Sequence, residues 1–276
     1  MQKPVAFLTG TSSGFGLLAS LALAKSGYYV VASMRNPDKQ KALSDAIQQQ
    51  KIKDIEIVEL DVTRHEQVTS TLGSVIGRLG RIDVLVNNAG YAEGGFVEDL
   101  SIEDFRRQFD TNFFGLVTVT KAVLPHMRER RKGKIINISS ISGKVGFPAL
   151  SPYVSSKHAV EGFSESLRLE MLPYGVYVSL IEPGSYQTEI WRKGLRQAGK
   201  TAHSPYQKEL AKISDQVQKI SENAGKPEEV ADLIVQVANA KHPKLRYPVG
   251  KGVKRNIYLK NILPWEWMEK MILQRM

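Results

Sequence analysis

A hydroxyl-rich stretch, Ser139-Ser140-Ile141-Ser142-Gly143, is followed closely by Ser151-Pro152-Tyr153-Val154-Ser155-Ser156-Lys157. If the second segment is helical, Tyr153 and Lys157 share one face a turn apart, and an ammonium can sit beside a phenol. A phenol titrates at about 10 in water and is a poor acid-base catalyst near neutrality. An adjacent cation stabilises its phenolate and moves it toward working pH. The chemistry on offer is proton transfer to or from an oxygen. The same spacing also describes an ordinary amphipathic turn, so the elements around it decide.

Those elements sit in a chain of 276 residues, 42% hydrophobic and 24% charged, the composition of a soluble globular protein. The sequence holds no cysteine, which excludes disulfides, thiolate metal sites and Cys nucleophiles and fits a reducing, cytoplasmic compartment. No metal is expected. The apolar run Val5-Ala6-Phe7-Leu8 is too short for a signal-peptide core, and no other run reaches membrane-spanning length. A net charge of +10 favours acidic partners such as a phosphorylated cofactor, an anionic membrane surface or nucleic acid. Much of the excess is local: Lys241, Lys244, Arg246, Lys251, Lys254, Arg255 and Lys260 lie in a stretch without Asp or Glu. A solvated face or subunit contact is the commoner meaning of such a patch. Nucleic-acid binding is motivated by charge alone and is not adopted.

Val5 to Leu8 predicts a buried strand, Thr9-Gly10-Thr11-Ser12-Ser13-Gly14-Phe15-Gly16 a glycine-rich turn, and Leu17 to Lys25 a helix ended by Gly27. Such a turn approaches a pyrophosphate closely, and free N–H groups at the helix start meet its charge. The spacing differs from the commoner G-x-G-x-x-G fingerprint, so a plain strand-to-helix turn stays open. The second strand, Tyr28 to Ser33, ends at Met34-Arg35-Asn36-Pro37. An acid there accepts from the ribose hydroxyls of NAD, whereas an arginine accommodates the 2′-phosphate of NADP. Arg35, with Ser13 as a further phosphate donor, favours NADP(H) over NAD(H).

Ile55 to Leu60 predicts a third strand, ending in Asp61-Val62-Thr63, where Asp61 either accepts from an adenine amine or caps the next helix. A helix from Arg64 to Leu79 precedes strand Ile82 to Val86 and the small, amide-rich Asn87-Asn88-Ala89-Gly90, which permits close approach to a flat ring. Ile102 to Arg131 reads as one long helical region; Asn112 inside it is either tolerated on a polar face or opens the helix locally. Ile135 to Ile138 delivers the serine stretch, a helix from Pro152 to about Leu172 carries Tyr153 and Lys157, and Val176 to Ile181 precedes Glu182-Pro183-Gly184. This alternation predicts an α/β chain forming a single-domain Rossmann fold over 1-276, a doubly wound parallel sheet with helices on both faces. Residues 185-225, with Trp191, Leu195, Tyr206, Leu210, Ile213, Val217 and Ile220 among polar neighbours, read as a small helical substrate lid, and 251-276 as a C-terminal tail.

The glycine-rich turn, Asp61, Asn87-Asn88-Ala89-Gly90, Asn112, Ser140, Tyr153, Lys157 and Pro183-Gly184 fall in the order of the motifs of the short-chain dehydrogenase/reductase family, which the chain resembles over residues 4 to 250. The resemblance implies Tyr153 as general acid-base and Lys157 as the cation that lowers its pKa and binds the nicotinamide ribose. Ser140, better spaced than Ser139, is implied to hold the substrate oxygen, and Asn112 to support Lys157 through an ordered water. It also implies Gly10, Ser12, Ser13, Gly14, Phe15 and Gly16 around the phosphates, and Asp61, Val62 and Asn88-Ala89-Gly90 on the adenosine side. Pro183, Gly184 and Thr188 would lie near the nicotinamide.

Arg35 is similar, more loosely, to the NADP-preferring hydroxysteroid and retinol dehydrogenase-like branch. Ser185-Tyr186-Gln187-Thr188 departs from the aliphatic or aromatic residues of relatives, so the substrate pocket does not carry over. The implied activity is NADP(H)-dependent interconversion of a hydrophobic ketone or aldehyde and its alcohol, in a homodimer or homotetramer. The alternative is a non-catalytic NADP(H)-binding sensor, which has no need of Asn112, Ser140, Tyr153 and Lys157 together. The aromatic tail from Ile262 to Leu273 suits a membrane surface or lipidic substrate, although packing on its own subunit or a neighbour is the commoner outcome.

Overall fold

The computed structural model describes residues 3–187, 204–222 and 224–274. Among them, parallel strands β1 (Val5–Thr9), β2 (Tyr29–Met34), β3 (Ile55–Glu59), β4 (Val84–Asn87), β5 (Gly133–Ile138), β6 (Val176–Pro183) and β7 (Arg246–Val249) form one sheet in the order β3-β2-β1-β4-β5-β6-β7. The strands are apolar on both faces. Ala6, Leu8, Val30, Ala32, Val84, Val86 and Ile136 enter one core, and Val5, Phe7, Val31, Leu85, Ile135, Val176 and Val178 the other. A parallel sheet buried twice requires this, which is why these strands read as continuous hydrophobic runs.

Helices α1 (Gly14–Lys25) and α2 (Lys41–Gln49) lie on the first face, and α3 (His65–Leu79) on the second. After α4 (Ile102–Phe109) come α5 (Gly115–Glu129) and α6 (Ser151–Met171), also on the second face. Beyond β6 lie α7 (Gln207–Glu222), α8 (Glu228–Asn239), α9 (Val253–Ile262) and α10 (Trp265–Leu273), with α8 back on the first face. The chain is thus an α/β doubly wound Rossmann-like fold, as its alternation predicts. Strand β1 pairs with β2 on one side and β4 on the other, and this reversal opens a crevice at the carboxyl ends of the strands.

The single long helix expected from Ile102 is interrupted by a π-helical turn, Asp110–Phe114, between α4 and α5. Asn112 sits at its centre and opens the helix locally because its amide is committed elsewhere, as described below. The segment expected to form a lid is described only in part: Thr188, Trp191 and Leu195 lie outside the described residues. Its helix α7 is anchored at its start by Tyr206, which stacks on Phe96 at 4.2 Å and donates to Glu98 at 2.6 Å, and by Ser204, which donates to Asp99 at 2.7 Å. In the tail, Val253 is buried and Lys260 Nζ donates to the carbonyl of Lys144, while Tyr258, Ile262, Trp265, Trp267 and Leu273 are exposed. No helix among the described residues is long and apolar enough to cross a membrane.

Candidate active site

The turn after β1 supplies the floor of the crevice. Gly10 and Gly14 have φ of 69° and 56°, a left-handed region that favours glycine. A Cβ on Gly10 would stand 2.7 Å from Ala89 Cα. The end of β4 is tied to this turn: Thr9 Oγ1 accepts from the backbone N–H groups of Asn88 and Ala89, both at 3.0 Å, and Asn88 Nδ2 donates to the carbonyls of Thr9 and Gly10, both at 2.9 Å. Gly16 is buried behind the turn, where a Cβ would meet Asn88 Nδ2 at 2.5 Å. Its place is therefore to let the turn and β4 pack, whereas the resemblance put it beside the phosphates.

At β4 the next residues pass close to Asn112. Its Oδ1 accepts from the Tyr91 N–H at 3.0 Å, and its Nδ2 donates to the Tyr91 carbonyl at 2.9 Å and to Ser156 Oγ at 3.2 Å. Ser156 in turn donates to the carbonyl of Tyr153 at 2.8 Å. Asn112 thus clamps the β4 loop and ties it to the first turns of α6. A second buried ladder runs behind it, from Asn87 to Thr120 and Asn137, and from Asn137 to Ser164, each bond at 2.9 Å.

The reacting groups converge where β5 ends and α6 begins. Tyr153 and Lys157 lie a turn apart on α6, both buried, with Lys157 Nζ 5.7 Å from the centroid of the Tyr153 ring. Lys157 Nζ donates to the Ile138 carbonyl at 2.7 Å. Ser140 and Tyr153 hydrogen-bond to one another, and Ser140 Oγ also accepts from the Ser142 N–H at 3.1 Å. Ser139 Oγ is buried and finds no partner among the described residues. The geometry therefore pairs Ser140, not Ser139, with the phenol.

Burial dominates the electrostatics here. It pushes the Tyr153 phenol up to about 12, against a downward pull from Ser140, and brings the Lys157 ammonium down to about 8, opposed by the charge of Glu161. Burial is the largest influence on the phenol and Ser140 the one that opposes it.

These groups share one cleft of about 730 Å³, lined by Gly10, Ser12, Ser13, Gly14, Phe15, Arg35, Asp61, Val62, Asn88, Ala89 and Gly90 toward one end and by Ser140, Tyr153, Lys157, Pro183 and Gly184 toward the other. Of the residues singled out by sequence, Gly16 and Asn112 stand behind the wall, and Thr188 is outside the described residues. Asp61 does not cap the next helix, whose N-cap is Arg64. It lines the cleft while its Oδ1 accepts from the Thr63 N–H at 3.0 Å and Thr63 Oγ1 at 2.7 Å, a local turn before α3.

The family profile described as short chain dehydrogenase matches residues 4–199. The chain belongs to the short-chain dehydrogenase/reductase family. It is 50% identical over 283 residues to the uncharacterized oxidoreductase YusZ of Bacillus subtilis, covering 100% of this chain and 99% of that protein. Retinol dehydrogenase 8 of Bos taurus is 38% identical over 251 residues, 87% of this chain and 79% of the relative. The solved structure of ElxO with NADP bound superposes with a TM-score of 0.75 at 29% identity, over 92% of this chain and 99% of the other. The protein is therefore a short-chain dehydrogenase/reductase oxidoreductase.

Short-chain dehydrogenases use a nicotinamide cofactor, and the residues present fit one. Among the described residues no side chain caps the N-terminus of α1, and its first turn holds no acid, so its N–H groups are free to meet a pyrophosphate. Several lining residues escaped the sequence reading. Tyr186 packs edge-on against Phe15 at 5.5 Å and donates to Glu229 at 3.0 Å, walling the cleft beyond Gly184. Tyr91, Glu93 and Arg107 line it beside α4, with Glu93 2% exposed and its N–H donating to Gln108 Oε1 at 2.6 Å. An acid among the small and aromatic residues from Tyr91 to Phe96 was the available signal.

Proposed function

We propose that this short-chain dehydrogenase is an NADP(H)-dependent carbonyl reductase or alcohol dehydrogenase, acting on a hydrophobic ketone, aldehyde or secondary alcohol. The observation that carries the reading is the convergence of Ser140, Tyr153 and Lys157 on one wall of the cleft whose far end holds Arg35 and the open N-terminus of α1. The bound cofactor supplies the hydride. Tyr153, protonated at neutral pH, donates to the oxygen that becomes an alcohol. Ser140 holds that same oxygen, so its bond to Tyr153 sets the distance between acid and acceptor. Lys157, fixed by the Ile138 carbonyl, stabilises the phenolate left behind.

Arg35 and Lys39, both exposed on the cleft rim, with Ser13 across the turn, supply cationic and hydroxyl donors for a 2′-phosphate. The name of one relative, a retinol dehydrogenase, and the NADP held by ElxO agree with this reading.

Purified protein with a panel of apolar ketones and aldehydes should consume NADPH faster than NADH at equal concentration. The Tyr153→Phe variant should lose about 10²- to 10⁴-fold in rate. Full activity in that variant would remove the mechanism, and a preference for NADH would remove the cofactor assignment.

A further inference from the structure

Tyr153, Lys157, Glu161 and Glu165 recur every fourth residue along α6 and so form one stripe of that helix. The first two are in the proposed mechanism; Glu161 is not, yet its side chain is only 6% exposed. A carboxylate so deep in the fold needs strong compensation. Lys144, just past the Ser140 loop, places Nζ 2.8 Å from Glu161 Oε2, and Arg246 on β7 places Nε 3.1 Å from the same oxygen. The Glu161 stem is wedged beneath the serine loop, where a Cβ on Gly143 would meet Glu161 Cγ at 3.0 Å and Ser139 Oγ at 2.8 Å.

A second buried acid faces it. Glu182, at the end of β6 and immediately before Pro183-Gly184, has a side chain 1% exposed, with Oε1 3.2 Å from Arg246 Nε and 4.0 Å from Lys144 Nζ. Both acids share the same two cations, Lys144 and Arg246, which brings their carboxyl groups side by side. Yet Oε1 of Glu161 and Oε1 of Glu182 each find no hydrogen-bond donor among the described residues, and the ion contact of Glu182 to Arg246 lacks hydrogen-bond geometry. Two buried carboxylates held side by side repel each other unless a proton lies between them, and the orphaned oxygens mark where one fits.

The charges facing the pair are Lys144 from the loop after β5, Arg246 from β7, and Lys157 and Glu165 from α6. Glu165, half-exposed, takes an ion contact from Arg246 and carries the stripe to the surface. With one proton shared, one carboxylate charge stays beside Lys157, one helical turn away. The proton is held because burial and the mutual repulsion of the two acids push Glu182 up to about 7.

We propose that Glu161 is the positioning residue that keeps Lys157 an ammonium, and that it does so as half of a proton-sharing pair with Glu182. This rests on the role given to Lys157 above. In the buried site Lys157 has the Ile138 carbonyl as its acceptor, which orients the amine without supplying a full charge. Glu161 supplies that charge, held between Lys144 and Arg246. Removing the Glu161 charge makes the Lys157 proton easier to lose. Removing Glu182 leaves Glu161 between its two cations and moves Lys157 less.

The test follows the lysine side chain itself, so that its outcome is independent of turnover. The ε-carbon chemical shift of Lys157, assigned by its loss in Lys157→Met, is titrated in wild-type protein, Glu161→Gln, Glu161→Asp and Glu182→Gln, with folding checked by circular dichroism. The Lys157 midpoint should fall by about one pH unit, a tenfold change in proton affinity, in Glu161→Gln. It should recover in Glu161→Asp and shift less in Glu182→Gln. Where a substrate is in hand, the alkaline limb of kcat/KM should move by the same amount. In wild-type protein the Lys157 shift should carry a second, smaller inflection near 7, where the pair releases its proton. A folded Glu161→Gln variant with an unmoved midpoint overturns the proposal. So does a wild-type curve without the inflection, even if Glu161→Gln fails to fold. If Tyr153→Phe keeps full activity while the Lys157 midpoint shifts as described, the mechanism fails and the pair stands.

Discussion

Lys157 Nζ donates to the carbonyl of Ile138, the last residue of β5, at 2.7 Å while standing 5.7 Å from the centroid of the Tyr153 ring. The sheet thus aims the cation at the phenol, and the helix only carries both. Lys157→Met should therefore leave the fold in place and reduce kcat by about 10²-fold or more. Lys157→Arg should rescue little, because a planar guanidinium does not reproduce the single bond to Ile138 and the approach to the ring. Steady-state kinetics beside thermal melts separate these outcomes from unfolding.

The pH profile carries a signed expectation. Tyr153, pushed up to about 12, stays a proton donor across the working range, whereas Lys157, brought down to about 8, does not stay charged. Reduction should therefore fall as pH rises through about 8, and kcat/KM measured from pH 6 to 10 reports that limb. Stability runs the other way. A buried ammonium with a depressed pKa costs the fold most below about 8, and the cost is relieved as pH rises from there toward the ordinary 10.5. The stability difference between wild type and Lys157→Met should shift in that window; a flat difference there contradicts the burial argument.

How much of this was legible in the sequence differs by residue. The strands announced themselves because both faces are buried, and the glycine-rich turn, Tyr153 and Lys157 because their spacing is local. Asn112 reads as an unsettled helix residue, but its clamp on Tyr91 depends on two segments meeting in space. The Glu161–Glu182 pair joins α6 to β6 in the same way, and Glu161 alone reads as an ordinary charge on an amphipathic helix. Tyr186, in sequence only a departure from relatives, is a buried wall of the cleft because Gly225 and Gly250 leave room for its side chain, with their added Cβ atoms meeting it at 2.6 and 3.2 Å.

On the proposed reading, cofactor choice turns on Arg35. It is exposed at the cleft rim where β2 ends, and Lys39 lines the same rim a little farther along the chain. A charge-assisted contact to a phosphate contributes about 1.5–3 kcal/mol. Arg35→Ala should weaken NADPH binding by roughly 10- to 100-fold and leave NADH binding within about twofold. Fluorescence titration of both dinucleotides measures this directly. Equal loss for the two would place Arg35 outside the 2′-phosphate site.

Asn112 offers the sharpest separation of support from chemistry. Its side chain satisfies both the N–H and the carbonyl of Tyr91 and reaches Ser156, which holds the carbonyl of Tyr153. Asn112→Ala strands two polar groups of the β4 loop, at a cost of roughly 1–3 kcal/mol for a buried group left unpaired. A chain of this size should then melt several degrees lower, at about 2–4 °C per kcal/mol. Tyr91 lines the cleft, so loosening it should raise KM for the cofactor as well. Asn112→Asp keeps the acceptor for the Tyr91 N–H but loses the donor to its carbonyl, and should fall between the two. Were Asn112→Ala to melt like wild type with only kcat reduced, the residue would act in proton transfer, and the clamp would be incidental.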